Sequence, residues 1–368
     1  MKRVAQFAAV TAVAALALTA CGSAPDDTPT TSAGATTTAA AESIDFKACM
    51  VSDAGGFDDK SFNESGIDGL KAAAKTLGIE TATQESKTDS DFAPNIDNLV
   101  TQNCNIIVTV GYLLATATGD AAKANPGVDF AIVDSTAADA DNNPIELDNV
   151  KPLSFDTAQA AYLAGYVAAG MTKTGTVATF GGIQIPSVTI FMDGFVDGVA
   201  KYNEDNATTV KVLGWDKAKQ NGSFTGDFDD QSKGQQLTQT FIDAGADIIM
   251  PVAGPVGAGS LAAARDAKDV SVIWVDTDGA VSNPTYADII LTSVVKEIGA
   301  SVEDAITTSS AGKFSADPYV GTLDNGGVSI APFHDFDAKV PQELKDKVDQ
   351  LRKDIISGSI VVESPSSP

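Results

Sequence analysis

The sequence predicts an α/β protein in which helices flank mostly parallel β-sheets and the chain forms two lobes. Short apolar runs alternate with longer helical stretches, the pattern of parallel strands joined by helical crossovers. The alternation then restarts near residue 176 in a similar second series. About 320 residues follow the N-terminal region, more than one ordinary hydrophobic core accommodates, which favours two domains.

Each predicted strand is a short apolar run, and each predicted helix is a longer stretch that follows one. Strands are predicted at 46–51, from 80 to 83, and at 105–110, 129–134, 150–155, 176–180, 209–215, 247–252 and 271–276. Helices are predicted at 61–77, 92–103, 156–172, 186–202, 231–244 and 260–267. Ligands of such sheets bind outside the carboxyl ends of the strands. Those ends carry Asp53, Gly111, Asp134, Gly181, Gly254 and Asp276.

The N-terminal region has the pattern of a secretory signal that ends at a lipid-modified cysteine. Residues 1–20 begin with two basic side chains, continue as an apolar run and end in small residues. Small residues followed at once by Cys21 are typical of a bacterial lipobox, in which the cysteine carries acyl chains that anchor the protein stably. Residues 21–43 are predicted to be a disordered tether. We therefore expect a folded part that is membrane-anchored outside the cytoplasm; the alternative is a plain signal peptide with a chance cysteine.

The charge of the chain argues against nucleic acid and anionic lipid surfaces as partners. The formal net charge is -25, from 24 Lys+Arg against 49 Asp+Glu. Removing the signal peptide removes two basic residues, which leaves 22 against 49, or -27. Neutralisation of phosphates supplies most of the affinity for nucleic acid, and this chain offers the opposite charge.

Cys49 and Cys104 are the two cysteines that follow Cys21. Outside the cytoplasm such a pair can oxidise, and the two would meet if the first strand and the strand at 105–110 are neighbours. Either a disulfide or two separately buried thiols fits the sequence. A zinc site is not expected, because two cysteines and His334 do not supply a usual ligand set.

The sequence gives little support for catalysis, and no cofactor or metal is predicted. A single histidine argues against Ser-His-Asp and Cys-His arrangements. Neither G-x-S-x-G nor G-x-x-x-x-G-K-[ST] occurs in the sequence. The glycine-rich stretch 254–259 opens a predicted helix and exposes backbone N–H groups to a polar ligand, with low specificity.

The loop at 52–64 is the strongest local signal for a binding site. It follows the first strand directly, and we expect Ser61 to cap the next helix, with Glu64 completing a capping box. Phe62 and Asn63 then lie in the first helical turn, where the ring can stack on a flat ligand and the amide can pair with a base. The alternative is that Phe62 is a core residue and Asn63 a capping residue.

A family resemblance supports the binding interpretation. The stretch D-x-G-G-F-D-D-K-S-F-N-E at 53–64 resembles the signature of the basic membrane protein family, whose members are similar to purine nucleoside receptor A lipoproteins, the substrate-binding components of ABC importers. The resemblance continues through 156–165, 191–195, 275–278, 292–296 and 325–328, and covers nearly all of the chain from Ile44.

The resemblance implies a periplasmic-binding-protein type I fold, two lobes joined by three hinge crossovers. These are placed near Ser154–Phe155, near Leu291–Thr292 and at 322–330. The N-terminal lobe would then comprise 44–154 plus about 292–325, and the C-terminal lobe 155–291 plus about 326–365.

The resemblance also implies roles for individual residues. Phe62 would stack on a nucleobase, Asn63 and Asp134 would hydrogen-bond it, and Asp53 would lie at the end of the first strand. Asp276 would accept the ribose hydroxyls, Lys296 would reach the sugar, and Gly254 and Gly257 would line the sugar side. We place Met250 on the face of the base opposite Phe62, with Phe191 and Phe224 as other candidates.

The leading hypothesis is a lipid-anchored receptor that binds a nucleoside, with purine favoured, and delivers it to an ABC permease in the membrane without chemical change. A binding protein for a sugar or another small polar ligand is the alternative, with Trp215 and Trp274 available to stack on a pyranose. A nucleoside hydrolase is a further alternative, which product formation from a purine nucleoside would identify. A nucleoside-sensing receptor or a surface adhesin, docking on a sensor or host protein rather than on a permease, is another.

Overall fold

Two separate six-stranded sheets of mostly parallel strands are present in the computed structural model, which describes residues 44–368. The predicted signal peptide, the tether and Cys21 lie outside the described residues. Among the described residues, no helix is long and apolar enough to cross a bilayer.

The strands are β1 (Lys47–Ser52), β2 (Glu80–Glu85), β3 (Ile106–Val110), β4 (Asp129–Val133), β5 (Val150–Phe155), β6 (Thr176–Gly181), β7 (Lys211–Leu213), β8 (Trp215–Asp216), β9 (Asn221–Gly222), β10 (Ile248–Val252), β11 (Ser271–Asp276), β12 (Ile290–Lys296), β13 (Tyr319–Gly321) and β14 (Val328–Ile330). The helices are α1 (Phe62–Leu77), α2 (Phe92–Thr101), α3 (Ala115–Ala124), α4 (Thr157–Met171), α5 (Pro186–Asn206), α6 (Gln231–Asp243), α7 (Gly257–Ala267), α8 (Gly279–Ser282), α9 (Ile298–Ser310) and α10 (Gln342–Ile356).

The two sheets have related strand orders. The first sheet runs β13-β5-β4-β3-β1-β2 and the second β14-β12-β11-β10-β6-β7, with a small β8-β9 hairpin beside it. The strand pairs of the large sheets are parallel except β12 with β14. The central strands are buried on both faces, as the continuous apolar runs predict. The predicted α/β fold with two lobes is confirmed.

The chain passes between the two sheets three times. The first passage follows β5, close to the predicted Ser154–Phe155, and the third lies between β13 and β14, within the predicted 322–330. The second passage follows Lys296 rather than lying near Leu291–Thr292. The strand continues to Lys296 because β12 keeps its pairing with β11 up to Val295 and with β14 up to Lys296.

Helices α4 and α5 pack closely behind the second sheet, and glycine permits the contact. A Cβ on Gly198 would lie 1.9 Å from the carbonyl oxygen of Tyr162, and a Cβ on Gly165 would lie 2.1 Å from that of Phe195. Only a residue without a side chain allows the two backbones to approach this closely. The contact fixes α5, which carries Phe191 to the cleft described below.

Cys49 and Cys104 form a disulfide whose two Cα atoms are 5.9 Å apart. Cys49 lies in β1, and Cys104 lies two residues before β3, the neighbour of β1 in the first sheet. Both side chains are buried in a hydrophobic cluster with Phe92, Ile107 and Phe130. Of the two arrangements that the sequence left open, the structure therefore has the bonded one.

Candidate functional site

A pocket lies between the carboxyl ends of strands from the two sheets. Seven of the predicted ligand-binding residues line it, from both lobes: Asp53, Phe62, Asn63, Asp134, Gly254, Asp276 and Lys296. Parallel strands bring their carboxyl ends to one edge of a sheet. The two edges face each other here, which is why residues up to 243 positions apart in sequence share one pocket.

Lys296, the last residue of β12, is the cation of the pocket. Its side chain is 2% exposed, and its Nζ donates a hydrogen bond to Asp134 Oδ2 and lies 3.6 Å from Asp276 Oδ1. The ammonium also lies 4.9 Å from the ring centroid of Phe62, 5.4 Å from that of Phe191 and 5.5 Å from that of Phe155. Two carboxylates and three aromatic faces thus compensate its desolvation.

The two carboxylates beside Lys296 occupy equivalent positions in the two lobes. Asp134 follows β4 in the first sheet, and Asp276 ends β11 in the second. Both residues have left-handed backbone angles, φ 63° and φ 68°. Asp adopts this conformation more readily than most residues with a side chain. Strained backbone conformations of this kind cluster at functional sites. Burial raises the pKa of Asp134, while the adjacent Lys296 lowers it.

The loop before α1 is organised by Asp59 rather than by Ser61. The Asp59 carboxylate accepts hydrogen bonds from the backbone N–H groups of Ser61, Asn63 and Glu64, at 2.8–3.0 Å. Ser61 is the N-cap residue of α1 as predicted, but its side chain makes no capping bond, so the predicted capping box with Glu64 is wrong. Burial raises the pKa of Asp59 to about 6, although these three N–H groups lower it.

Asp53 lines the pocket, and no basic side chain is among the groups that shift its pKa. Burial raises its pKa well above the ordinary range, and the carboxylates of Asp59, Asp134 and Asp229 add to that effect. Its Oδ1 accepts a hydrogen bond from Asn63 Nδ2 at 2.9 Å. Burial thus favours the protonated carboxyl, which can donate as well as accept a hydrogen bond.

Asn63 presents one unused acceptor. Its side chain is 1% exposed, and its Nδ2 donates to Asp53 Oδ1 and lies 3.3 Å from both Ala54 O and Asp59 Oδ2. Its Oδ1 has no hydrogen-bond partner among the described residues. A buried polar atom left unpaired is costly, so this oxygen is suited to a ligand N–H group.

Two of the predicted site residues, Met250 and Gly257, do not line the pocket. Met250 is fully buried in the core because β10 continues for two residues beyond it, and Val252, the last residue of the strand, reaches the pocket instead. Gly257 faces the ring of Trp274, where a Cβ would lie 3.0 Å from Cζ3.

The structure also shows which of the two aromatic candidates, Phe191 and Phe224, reaches the pocket. Phe191 lines the pocket, whereas Phe224 packs edge-on against Trp215 outside it. Sequence reasoning missed Tyr112 and Phe228, which both line the pocket. Tyr112 directly follows Gly111 at the end of β3, so the strand-end rule could have identified it.

The two tryptophans proposed for stacking a sugar do not line the pocket either. Trp215 is buried, and its indole N–H donates to Asp193 Oδ1 at 2.8 Å. Trp274 is 1% exposed and donates to the carbonyl oxygen of Lys60 at 3.3 Å. Within residues 44–368, no group of three or more His, Cys, Asp or Glu side chains is placed to hold a metal ion.

Comparisons with known proteins agree with the fold and identify the family. A family model described as ABC transporter substrate-binding protein PnrA-like matches residues 46–365. The chain is 32% identical over 338 residues to the ABC transporter nucleoside-binding protein BmpA of Lactococcus lactis, covering 87% of this chain and 90% of the relative. It is 30% identical over 313 residues to basic membrane protein A of Borreliella burgdorferi, covering 84% and 86%.

Solved structures share the fold at lower sequence identity. An ABC transporter solute-binding protein from Aeropyrum pernix superposes with a TM-score of 0.78 at 22% identity, covering 87% of this chain and 94% of that one. A second solute-binding protein, from Conexibacter woesei, superposes with a TM-score of 0.65 at 22% identity, covering 88% and 100%.

Proposed function

The chain belongs to the family of PnrA-like ABC transporter substrate-binding proteins, and from this premise we propose that it binds a nucleoside in the cleft between its lobes. We favour a purine nucleoside, delivered unchanged to a permease in the membrane. The observation that carries the proposal is the pocket itself, where an aromatic ring, an unpaired amide oxygen and an ion cluster converge. The relative from Lactococcus lactis is itself named as nucleoside-binding.

The residues of the pocket fit the two halves of a nucleoside. Phe62 stacks on the base, and Phe228 from the other lobe takes the place first given to Met250. Asn63 Oδ1 accepts a hydrogen bond from an N–H group of the base, and Asp53 and Asp134 complete its polar edge. The carboxylate of Asp276 accepts the ribose hydroxyls beside Lys296.

The membrane anchor is a separate proposal that rests on the sequence from Leu18 to Cys21. In cells of the source organism, we expect palmitate to label the wild-type protein and not the Cys21→Ser variant, which leaves the membrane fraction. Labelling that survives the substitution would contradict a lipid on Cys21. A receptor held outside the cytoplasm in this way stays close to its permease.

Removing Asp276 tests the nucleoside assignment. A hydrogen bond to a charged group contributes about 1.5–3 kcal/mol, so Asp276→Ala should weaken nucleoside binding about ten- to a hundredfold. The free base lacks the ribose and should lose much less. Because the substitution also removes a partner of Ser61, the quantity to compare is the ratio of nucleoside affinity to base affinity, from calorimetric titration with adenosine, guanosine, inosine and their bases.

Two further variants serve as references in this titration. Phe62→Ala should weaken nucleoside and base alike, because stacking does not involve the sugar. Asp266→Ala, at an exposed position of α7, should change neither. The proposal fails if wild-type protein, freed of bound ligand by unfolding and refolding, binds none of these compounds but binds a hexose.

A further inference from the structure

The loop before α1 crosses from the first lobe to the second. Residues 59–61, here called the latch loop, belong to the lobe of the first sheet, and they contact the end of β11 in the second sheet. These contacts join residues 214 to 217 positions apart in sequence. They lie beside the ligand pocket, which Asp59 and Asp276 line.

The carbonyl oxygen of Lys60 is the first contact. It accepts a hydrogen bond from Trp274 Nε1 at 3.3 Å and another from Thr277 Oγ1 at 3.1 Å. Lys60 has a left-handed backbone with φ 58°, an uncommon conformation for a residue with a side chain. The backbone conformation thus presents this oxygen to two donors of the other lobe.

The hydroxyl of Ser61 is the second contact. It lies 2.8 Å from Asp276 Oδ2 and 3.2 Å from the carbonyl oxygen of Val275, both acceptors of the second lobe. Ser61 is fully buried and Asp276 is 7% exposed, so water does not readily replace this bond while the lobes are together. The bond also fixes the orientation of the Asp276 carboxylate beside Lys296.

The latch loop is held rigidly within its own lobe. Asp59, itself 5% exposed, accepts three backbone N–H groups of the loop and of the first turn of α1. That same turn carries Phe62 and Asn63 into the pocket. The contacts to the second lobe and the ligand-facing side chains are therefore parts of one short, rigid segment.

We propose that the latch loop holds the two lobes closed through hydrogen bonds that form without a ligand. All donors and acceptors are protein atoms, so the closed state is stabilised in the unliganded protein and ligand release is slowed by the same bonds. Thr277 and Ser61 act as positioning residues: they set the equilibrium between open and closed lobes. The proposal does not depend on the identity of the ligand.

The test measures the distance between the lobes in ligand-free protein. Spin labels are attached at Lys75→Cys in α1 and Asp266→Cys in α7, both exposed, in a Cys21→Ala background, and pulsed electron paramagnetic resonance gives the closed and open fractions. Thr277→Val keeps the shape of the side chain and removes the donor. We expect it to lower the ratio of closed to open protein about two- to tenfold.

A matched control distinguishes the loss of the contact between the lobes from the loss of a contact within the second lobe. Thr277 Oγ1 also lies 3.1 Å from Ser282 Oγ, so Ser282→Ala removes that contact while leaving Lys60 and its partners intact, and it should keep the wild-type ratio. Ser61→Ala provides an independent variant from the first lobe and should also lower the ratio. An unchanged closed fraction in both Thr277→Val and Ser61→Ala overturns the proposal, as does a wild-type protein found only open.

Discussion

Replacing Lys296 by methionine should lower the free energy of unfolding by about 3–5 kcal/mol at pH 7 and abolish ligand binding, because it leaves two buried carboxylates without their cation. Lys296 is 2% exposed and serves both Asp134 and Asp276, which are themselves nearly buried. Methionine fills a similar volume among the three aromatic rings, so the loss reports the charge rather than a cavity. Urea denaturation at constant ionic strength measures it.

The deficit of this variant should shrink as the pH falls. Burial already raises the pKa of Asp134, and without Lys296 the lowering influence is gone, so its pKa rises further. The folded variant then binds more protons than the unfolded chain above about pH 4. Acidification from pH 7 to pH 5 therefore stabilises the variant relative to wild type.

Lys339→Met provides the matched control for Lys296→Met. Lys339 is exposed, with its Nζ 4.2 Å from the ring centroid of Phe336, and its loss should cost about 1 kcal/mol or less. A deficit of Lys296→Met that is equal at pH 7 and pH 5 would show that lost packing, and not unpaired charge, accounts for it.

The pocket residues that lie at or just after the carboxyl ends of strands could be predicted from the sequence. Asp53, Asp134 and Asp276 each lie at or directly after the carboxyl end of a buried strand, and all three line the pocket. The same rule misplaced Met250, because an apolar run shows that a strand exists more clearly than it shows which residue ends it. Phe228 lies in the loop before α6, where no periodicity marks it, and only the tertiary fold brings it to the pocket.

The elements of the fold were predictable to different extents. Central strands such as β1, β3 and β10 are buried on both faces, so their apolar runs are strong signals. The chain after β11 was predicted only through the family resemblance, since β13 and β14 are three residues each and take their places by pairing with distant strands. The latch loop could not be predicted, because its contacts join residues 214 to 217 positions apart and only the tertiary fold brings them together.

Removing the disulfide should destabilise the protein by about 4 kcal/mol, the loop-closure entropy of a cross-link spanning roughly 55 residues in the chain-entropy model. We expect this loss in Cys49→Ala/Cys104→Ala. Alanine is chosen because both positions are buried among apolar side chains, where a serine hydroxyl would be left unpaired. Urea denaturation of the variant and of wild type under oxidising conditions measures the difference.

Adding reductant distinguishes the stability contributed by the cross-link from the stability contributed by packing of the two sulfur atoms. Wild-type protein that is reduced while denatured and then refolded with reductant should lose nearly the same stability as the double variant, although its sequence is unchanged. The denaturation curve of the double variant should be the same with and without reductant, because the variant has no disulfide to reduce. If instead denatured, unreduced wild type shows two reactive thiols besides Cys21, β1 and β3 are joined by strand pairing and packing without a cross-link. The expected loss of stability in the double variant is then only that of two small core substitutions.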